Sequence, residues 1–148
     1  MLEDYRGLKN KLPQALFNAT ERLVNETVEE ISSDDAHYSI EKLPTTNSSG
    51  RIEGGYRTTN PIDLFKEFGT GYIGSQNPST SPFLKEAGWE YDASNHGEQG
   101  WVYPKDGKFY HTYGEIGKNV FTDATLKMED KVQTVVLEEI NKILEGGN

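Results

Sequence analysis

Two long stretches of helical apolar periodicity bracket a middle that is rich in glycine and aromatic residues, and this layout constrains the fold most. Residues 11–31 and 119–144 repeat apolar side chains at three- and four-residue steps, so both predict amphipathic helices. We expect Asn10 to cap the first helix and Pro13 to lie in its first turn. The two stripes comprise Leu12, Leu16, Ala19, Leu23, Val24, Thr27, Val28 and Ile31, and then Phe121, Ala124, Met128, Val132, Val135, Ile140 and Ile143.

The middle of the chain, residues 62–113, predicts a β region that is interrupted by a polar loop over residues 70–82. Its first segment, residues 62–68, is apolar-rich and could be a strand or a short helix. Residues 88–91 and 100–103 both read Gly-Trp-x-Tyr, and this alternation places each Trp and Tyr on one face of a strand. Residues 104–107, Pro-Lys-Asp-Gly, are typical of a hairpin turn. The predicted hairpin core or interface comprises Trp89, Tyr91, Trp101, Tyr103, Asp106 and Gly107.

Together these elements predict an α+β fold in a single domain over residues 1–148. It has an N-terminal amphipathic helix, a small antiparallel β-sheet with hairpins, and a long C-terminal helix packed on the sheet. Leu, Ile, Val and Phe make up 32 of the 148 residues, about 22%. This fraction lies just above the level of about 20% below which disorder is expected at high net charge. The core is therefore thin, and neighbouring subunits would supply additional burial.

Residues 44–61 form the loosest segment, with three Gly, two Pro and little apolar mass. A loop of this length inside a compact domain is either functional or disordered. The residues alone leave both interpretations open: a flexible loop without a role, or an extended polar arm or hairpin that orders against a neighbour.

The net charge of −9 argues against a grip on nucleic acid, because phosphate neutralisation requires clustered Lys and Arg. The chain has no cysteine, which excludes disulfides, thiol nucleophiles and Cys-based zinc sites. Its first residues lack a basic segment followed by an apolar one, so we expect no signal peptide. We expect the protein to stay in the cytoplasm where it is made.

The sequence offers no convincing catalytic apparatus, so we expect no enzyme, metal or cofactor. His96, Glu98, Asp106 and His111 could be drawn as a metal site, but their spacing does not suit one helix face. Ser94 beside His96 has triad residue types without a Gly-x-Ser-x-Gly elbow. The Gly-x-Gly-x-x-Gly spacing over residues 69–74 is not followed by a helix start or a βα unit, so these glycines are interpreted as turn residues.

The aromatic residues support two interpretations. The two Trp and eight Tyr could form a stacking platform for glycans, or they could belong to a core or subunit interface. Paired aromatic residues on a sheet face more often serve the second purpose.

One ordered set of motifs resembles a known family. Residues 60–71 end in Glu67-Phe68-Gly69-Thr70-Gly71, and residues 100–103, the Asp-Gly turn and residues 112–114 follow as a hairpin. Residues 120–124, Val-Phe-Thr-Asp-Ala, then enter the last helix. This order resembles the neck and tail-completion proteins of long-tailed bacteriophages. The chain departs from the family in the residues before Glu67 and in lacking prolines before the last helix.

The resemblance implies a non-enzymatic virion protein at the neck or the top of the tail, assembled in the host bacterial cytoplasm. It implies a homo-oligomeric ring, possibly a hexamer, that contacts head-closure, neck or tail-tube proteins while DNA passes through its lumen without specific binding. The polar segment would then be an arm between subunits. Its candidate residues are Ser49, Gly50, Arg51, Ile52, Gly54, Gly55, Tyr56 and Arg57.

Overall fold

A computed structural model describes residues 2–92 and 97–146 and shows a mixed α+β fold. The helices are α1 (Leu2–Ser32), α2 (Ile62–Phe68), α3 (Gly71–Gln76) and α4 (Val120–Glu145), with a 3₁₀ turn at Gly97–Gln99. The strands are β1 (Ile40–Ser48), β2 (Arg51–Thr58), β3 (Gly69–Thr70), β4 (Trp101–Lys105), β5 (Lys108–Thr112) and β6 (Glu115–Ile116). They form three two-stranded antiparallel sheets, β1–β2, β3–β6 and β4–β5.

The residues group into two compact units. The first contains the chain up to Thr59 together with the chain from Ala124 onward, and the second is Asn60–Asp123. The single domain predicted over residues 1–148 stays a prediction, because two compact units occur in one domain as well as in two.

The two long helices predicted from periodicity are confirmed, and the first begins earlier than expected. Helix α1 starts at Leu2, so the predicted cap at Asn10 and the placement of Pro13 in the first turn are wrong. A proline inside a helix removes one backbone hydrogen bond. Pro13 is exposed, so the carbonyl that loses its partner can bond to water instead.

The core of the first unit lies between α1 and α4. Ala19, Leu23 and Val135 are buried together, and Met128 and Val136 pack against them. These residues belong to the predicted stripes or lie beside them, which explains why helical periodicity predicted both elements. Polar contacts also join α1 and α4 beside this core. Arg22 Nη1 donates to Glu138 Oε2 at 2.6 Å, and Lys127 forms an ion pair with Glu30.

Residues 44–61, for which the sequence left open a flexible loop or an extended polar arm or hairpin, form most of an ordered hairpin. Strands β1 and β2 pair from Ile40↔Thr58 to Ser48↔Arg51, with an irregularity between Leu43 and Thr46. The two residues between the strands, Ser49 and Gly50, both have positive φ, as a type I′ turn requires. Thr and Ser side chains satisfy the strand geometry here without supplying the apolar alternation that marks a strand in a sequence.

The second unit corrects the predicted β region in two places. Residues 62–68 form a helix, with Asp63, Glu67 and Phe68 buried. The sequence did not predict this helix uniquely, because a short apolar run does not distinguish helix from strand. Asn60 Oδ1 accepts a hydrogen bond from the backbone N–H of Ile62 at 3.0 Å, which fixes the helix start. The loop predicted over residues 70–82 contains helix α3.

Trp89 and Tyr91 are not in a strand, so the predicted meander of two aromatic strands is wrong. Gly88 has φ of 60°, and the backbone N–H of Trp89 returns to the carbonyl of Leu84 at 3.2 Å. Residues 82–88 form turns that lead directly to Trp89, and two alternating aromatic residues are too short a pattern to form a strand by themselves. In the second Gly-Trp-x-Tyr segment, residues 101–103 do belong to strand β4. The Asp106-Gly107 turn that follows the strand, with both φ values positive, is confirmed.

Candidate functional site

The candidate site is built around Glu67, the glutamate of the segment that resembles the phage family. Its side chain is only 3% exposed. Glu67 Oε2 accepts from the backbone N–H of Phe121 at 2.9 Å, and Oε1 accepts from the N–H of Thr122 at 2.8 Å. The Thr122 hydroxyl also donates to Oε1 at 2.8 Å. We call this arrangement the clasp, and we include in it the surrounding glycines Gly69, Gly71, Gly114 and Gly117.

The carboxylate of Glu67 caps a helix that begins 53 residues later in the chain. The first N–H groups of a helix have no partner inside the helix, and the positive end of the helix dipole favours a negative charge there. Glu67 satisfies two of these groups in α4. Hydrogen bonds to an ionised carboxylate are stronger than neutral ones, so the Glu67 side chain contributes strongly to the junction between α2 and α4. Two backbone bonds support the same junction, from the N–H of Lys118 to the carbonyl of Lys66 at 2.8 Å and from the N–H of Asn119 to the carbonyl of Glu67 at 3.1 Å.

Two serines extend the polar network behind Glu67. The hydroxyls of Ser81 and Thr122 lie 2.6 Å apart, and Ser81 is buried. Ser79 bonds to Asn119 through their side chains, and its N–H donates to Tyr91 Oη at 2.7 Å. The chain at residues 79–81 is therefore held against the start of α4.

Four glycines make the clasp possible because backbone meets backbone there. A Cβ on Gly69 would lie 2.6 Å from the backbone N of Gly117, and one on Gly117 would lie 2.5 Å from the carbonyl O of Glu67. A Cβ on Gly114 would lie 1.9 Å from the carbonyl O of Thr70. Gly69, Gly71 and Gly114 also have positive φ. The positive φ predicted for Gly69 and Gly71 is confirmed, and their surroundings are filled by the chain itself. The same prediction is wrong for Gly74, which lies inside helix α3.

The second part of the site is hairpin β4–β5, which exposes apolar residues on both faces. Its register places Val102, Pro104 and Phe109 on one face. Val102 is 58% exposed and Phe109 is 79% exposed. On the other face the rings of Tyr103 and Tyr110 stack with their centroids 5.9 Å apart.

The two tryptophans have different roles. Trp89 packs on Phe65 and Phe68, with ring centroids 5.2 Å and 5.6 Å apart. Trp101 lies beside Gly71, where a Cβ would come within 2.7 Å of its ring. Trp89 thus belongs to the packing of the second unit, whereas Trp101 anchors hairpin β4–β5 to the clasp.

An open groove of about 800 Å³ lies beside this hairpin in the second unit. Its lining is mostly aromatic or apolar, with one acid and one base at its edge. The lining residues are Ile62, Phe65, Thr70, Asp92, Trp101, Tyr103, Pro104 and Lys105.

The predicted arm residues lie in hairpin β1–β2 and its turn, in the first unit. A Cβ on Gly54 would lie 2.7 Å from Thr20 Cγ2, so the hairpin rests directly on α1. Lys42 Nζ donates to Glu21 Oε2 at 2.5 Å, and this hydrogen bond holds the pKa of Glu21 below its ordinary value. The predicted role of the arm residues between subunits stays a prediction. Within the hairpin, Arg57 forms an ion pair with Glu41 at 2.9 Å, and Arg51 forms one with Glu53 at 2.8 Å.

Across residues 2–92 and 97–146, no group of three or more His, Asp or Glu side chains is placed to hold a metal ion. His111 Nε2 lies 2.8 Å from the carbonyl O of Gln99, and its ring packs edge-on against Tyr113. His96 and Ser94 lie outside the described residues, so the expectation that they form no site stays a prediction. In the described helices, none is long and apolar enough to cross a membrane.

Sequence reasoning found the Glu-Phe-Gly-Thr-Gly segment but missed what its glutamate does. The partner groups lie more than 50 residues away and are backbone N–H groups, which carry no sequence signal. The hydroxyls of Ser81 and Thr122 were missed because their partners also lie 41 and 55 residues away in the chain. Comparisons of the chain with protein-family models, curated proteins and solved structures find no match.

Proposed function

We propose that this protein is a structural part of a tailed-phage virion, which completes the tail or joins it to the head at the neck. In this proposal it acts as a ring subunit around the DNA channel and has no enzymatic activity. The observation that carries the proposal is hairpin β4–β5, an ordered element whose apolar side chains are open on both faces.

The exposure of this hairpin points to a protein partner. A two-stranded hairpin is at best marginally stable by itself, and exposed apolar patches mark surfaces that other proteins cover. Aromatic residues such as Tyr103, Phe109 and Tyr110 are enriched in the centres of such interfaces. A subunit whose neighbours cover this hairpin would also gain the burial that its thin core lacks.

We infer an architectural role for the segment that carries the resemblance. Glu67 caps α4, Phe68 packs on Trp89, and Gly69 and Gly71 permit close backbone contact with the segment around Gly114. Each residue of this segment with a described role serves the architecture. This supports a building block of an assembly in preference to a site of chemistry.

The charge of the chain suits the proposed position at a DNA channel. A net charge of −9 repels the phosphate backbone, so DNA would pass a ring of such subunits without adhering to it. The ring would form from copies of this chain and would contact tail-tube, neck or head-closure proteins.

A glycan- or cell-wall-binding module is the second candidate, and one observation favours it. The open groove of about 800 Å³ is lined by Trp101, Tyr103 and Phe65, with Asp92 at its edge. Aromatic rings beside a carboxylate are suited to stacking against sugars. This candidate predicts that wall-derived oligosaccharides change the tryptophan fluorescence of the wild-type protein, and that Trp101→Ala abolishes the change.

Electron microscopy of a lysate from the phage lacking this gene tests the first proposal. We expect full heads lying apart from tails, or tails of abnormal length. Intact infectious particles would contradict a role in virion assembly, and the glycan-binding candidate would then be preferred.

A further inference from the structure

We propose that the tip of hairpin β4–β5 in one copy of this chain docks on the acidic C-terminal end of α1 in a second copy. The inference rests on the proposed ring and specifies its subunit contact. It starts from charges that are poorly neutralised in the isolated chain.

The hairpin tip carries two lysines side by side. Lys105 and Lys108 are directly opposite each other in the register, and the next pair on the same face is Tyr103↔Tyr110. Like charges opposite each other on a sheet are destabilising. Both lysines are exposed, and within residues 2–92 and 97–146 neither has an ion-pair partner. The face is thus aromatic with a positive end, in a chain whose net charge is −9.

The end of α1 has the opposite problem. Glu29, Glu30, Asp34 and Asp35 fall in the last turn of the helix or directly after it, and no basic residue lies in that turn. Acidic residues are unfavourable at a helix C-terminus, because the helix dipole is negative there.

Two of these four acids are already engaged within the chain. Glu30 forms an ion pair with Lys127, and Asp34 Oδ1 accepts from the N–H of Ala36 at 2.7 Å. Glu29 and Asp35 are exposed, and neither has an ion-pair partner in the described part of the chain.

These two surfaces complement each other in charge, which identifies a second copy as the occupant. Placing Lys105 and Lys108 near Glu29 and Asp35 would relieve both unfavourable features and would cover the Tyr103–Tyr110 face. In the proposed ring these two surfaces meet head-to-tail, and the ring closes when the rotation between subunits allows. An isologous dimer could pair the same two surfaces twice, so the size of the oligomer distinguishes the ring from a dimer.

Charge reversal with a charge swap tests the contact. The test uses the full-length protein and measures its oligomeric state by native mass spectrometry and sedimentation at low ionic strength. We expect Lys105→Glu with Lys108→Glu to raise the dissociation constant of the oligomer about 100-fold or more, since like charges then face each other. Glu29→Lys with Asp35→Lys should do the same. The matched control, Lys85→Glu with Lys118→Glu, reverses two exposed lysines elsewhere and should leave the oligomer unchanged.

The swap distinguishes pairing from a general charge effect. A mixture of the lysine-reversed and acid-reversed variants should assemble again, because every contact in an alternating ring then joins opposite charges. Raising the ionic strength from about 0.1 M to about 1 M should weaken the wild-type oligomer, since the screening length falls from about 10 Å to about 3 Å. Circular dichroism of each variant checks that the fold is intact.

Three results would overturn the contact. If the reversed variants assemble like the wild type, or if the mixture fails to assemble, the ring uses other surfaces and the proposed virion function still stands. A wild-type chain that stays monomeric at low ionic strength would also overturn it. The function itself is tested separately by the particles that form without the gene.

Discussion

Hairpins β1–β2 and β4–β5 have the same topology and the same kind of two-residue turn, yet they are used differently. The first lies against α1, where Gly54 leaves room for Thr20 and where Lys42 bonds to Glu21. The second leaves Val102 and Phe109 open to solvent. One hairpin contributes to the stability of its own unit, and we infer that the other serves contacts with other chains.

The comparison teaches that polarity along a strand is a poor guide to its use. The sequence of β1–β2 is polar and glycine-rich, which left a flexible loop and an ordered arm or hairpin both open, whereas the aromatic pattern of β4–β5 favoured a buried core or an interface. The use of a hairpin depends on whether a second element of the chain lies against it. Helix α1 does so for β1–β2, and in the described residues the outer ends of β4–β5 remain exposed.

The largest loss in the free energy of unfolding is expected when the clasp is broken. Glu67→Ala leaves two helix N–H groups and the Thr122 hydroxyl without their acceptor, which should lower the free energy of unfolding by about 3–5 kcal/mol. Hydrogen exchange should show early loss of protection in the second unit, including β4–β5, while β1–β2 keeps its protection.

Glu90→Ala is the matched control, because Glu90 is an exposed acid of the same unit. Its effect should stay within about 0.5 kcal/mol. Equal losses for the two variants would mean that the buried carboxylate does not hold the second unit together.

Neighbouring glycines of β2 test the packing of the first hairpin on α1. Gly54→Ala should cost about 1–3 kcal/mol, because the new Cβ would lie 2.7 Å from Thr20 Cγ2. Gly55→Ala should cost much less, since its nearest neighbour, Leu43 Cδ1, would be 3.8 Å away. Urea unfolding of both variants makes the comparison, and a reversed order would show that β1–β2 is not seated on α1 as described.

A smaller loss of stability is expected in the first unit when the pH is lowered. The hydrogen bond from Lys42 lowers the pKa of Glu21, and the hydrogen bond from Arg22 lowers the pKa of Glu26. Because the folded-state pKa lies below the unfolded value, the stabilisation is present above the ordinary pKa of 4.5 and is lost as the pH falls through the folded value. Unfolding measured from neutral pH to below the ordinary pKa should show a shallower loss for Glu21→Gln than for the wild type. Identical pH profiles would count against this contribution.

The smallest effect on folding is expected in the second hairpin. Phe109 is 79% exposed, so Phe109→Ser should change the free energy of unfolding by less than about 0.5 kcal/mol. Phe68→Ser, at a buried position, is the matched comparison and should cost several times more. A large loss at Phe109 would indicate that the isolated chain already covers this side chain.

Periodicity predicted the long helices because each buries one stripe, and the Asp106-Gly107 dipeptide predicted its turn because few residues tolerate positive φ. The α+β fold class followed from these elements and is confirmed. The segment that forms helix α2 left a strand and a short helix both open, since seven residues do not fix a period. The bonds from Glu67 to α4 were out of reach, because they join a side chain to distant backbone groups.

The most direct test of the different uses of the two hairpins is complementation of a phage that lacks this gene. A plasmid would supply wild-type protein or the variant Val102→Ser with Phe109→Ser, after the purified variant has been shown to unfold like the wild type. We predict that the variant leaves heads apart from tails, or tails of abnormal length, in electron micrographs. Infectious particles at the wild-type number would contradict the claim that the Val102 and Phe109 face of hairpin β4–β5 is a contact surface.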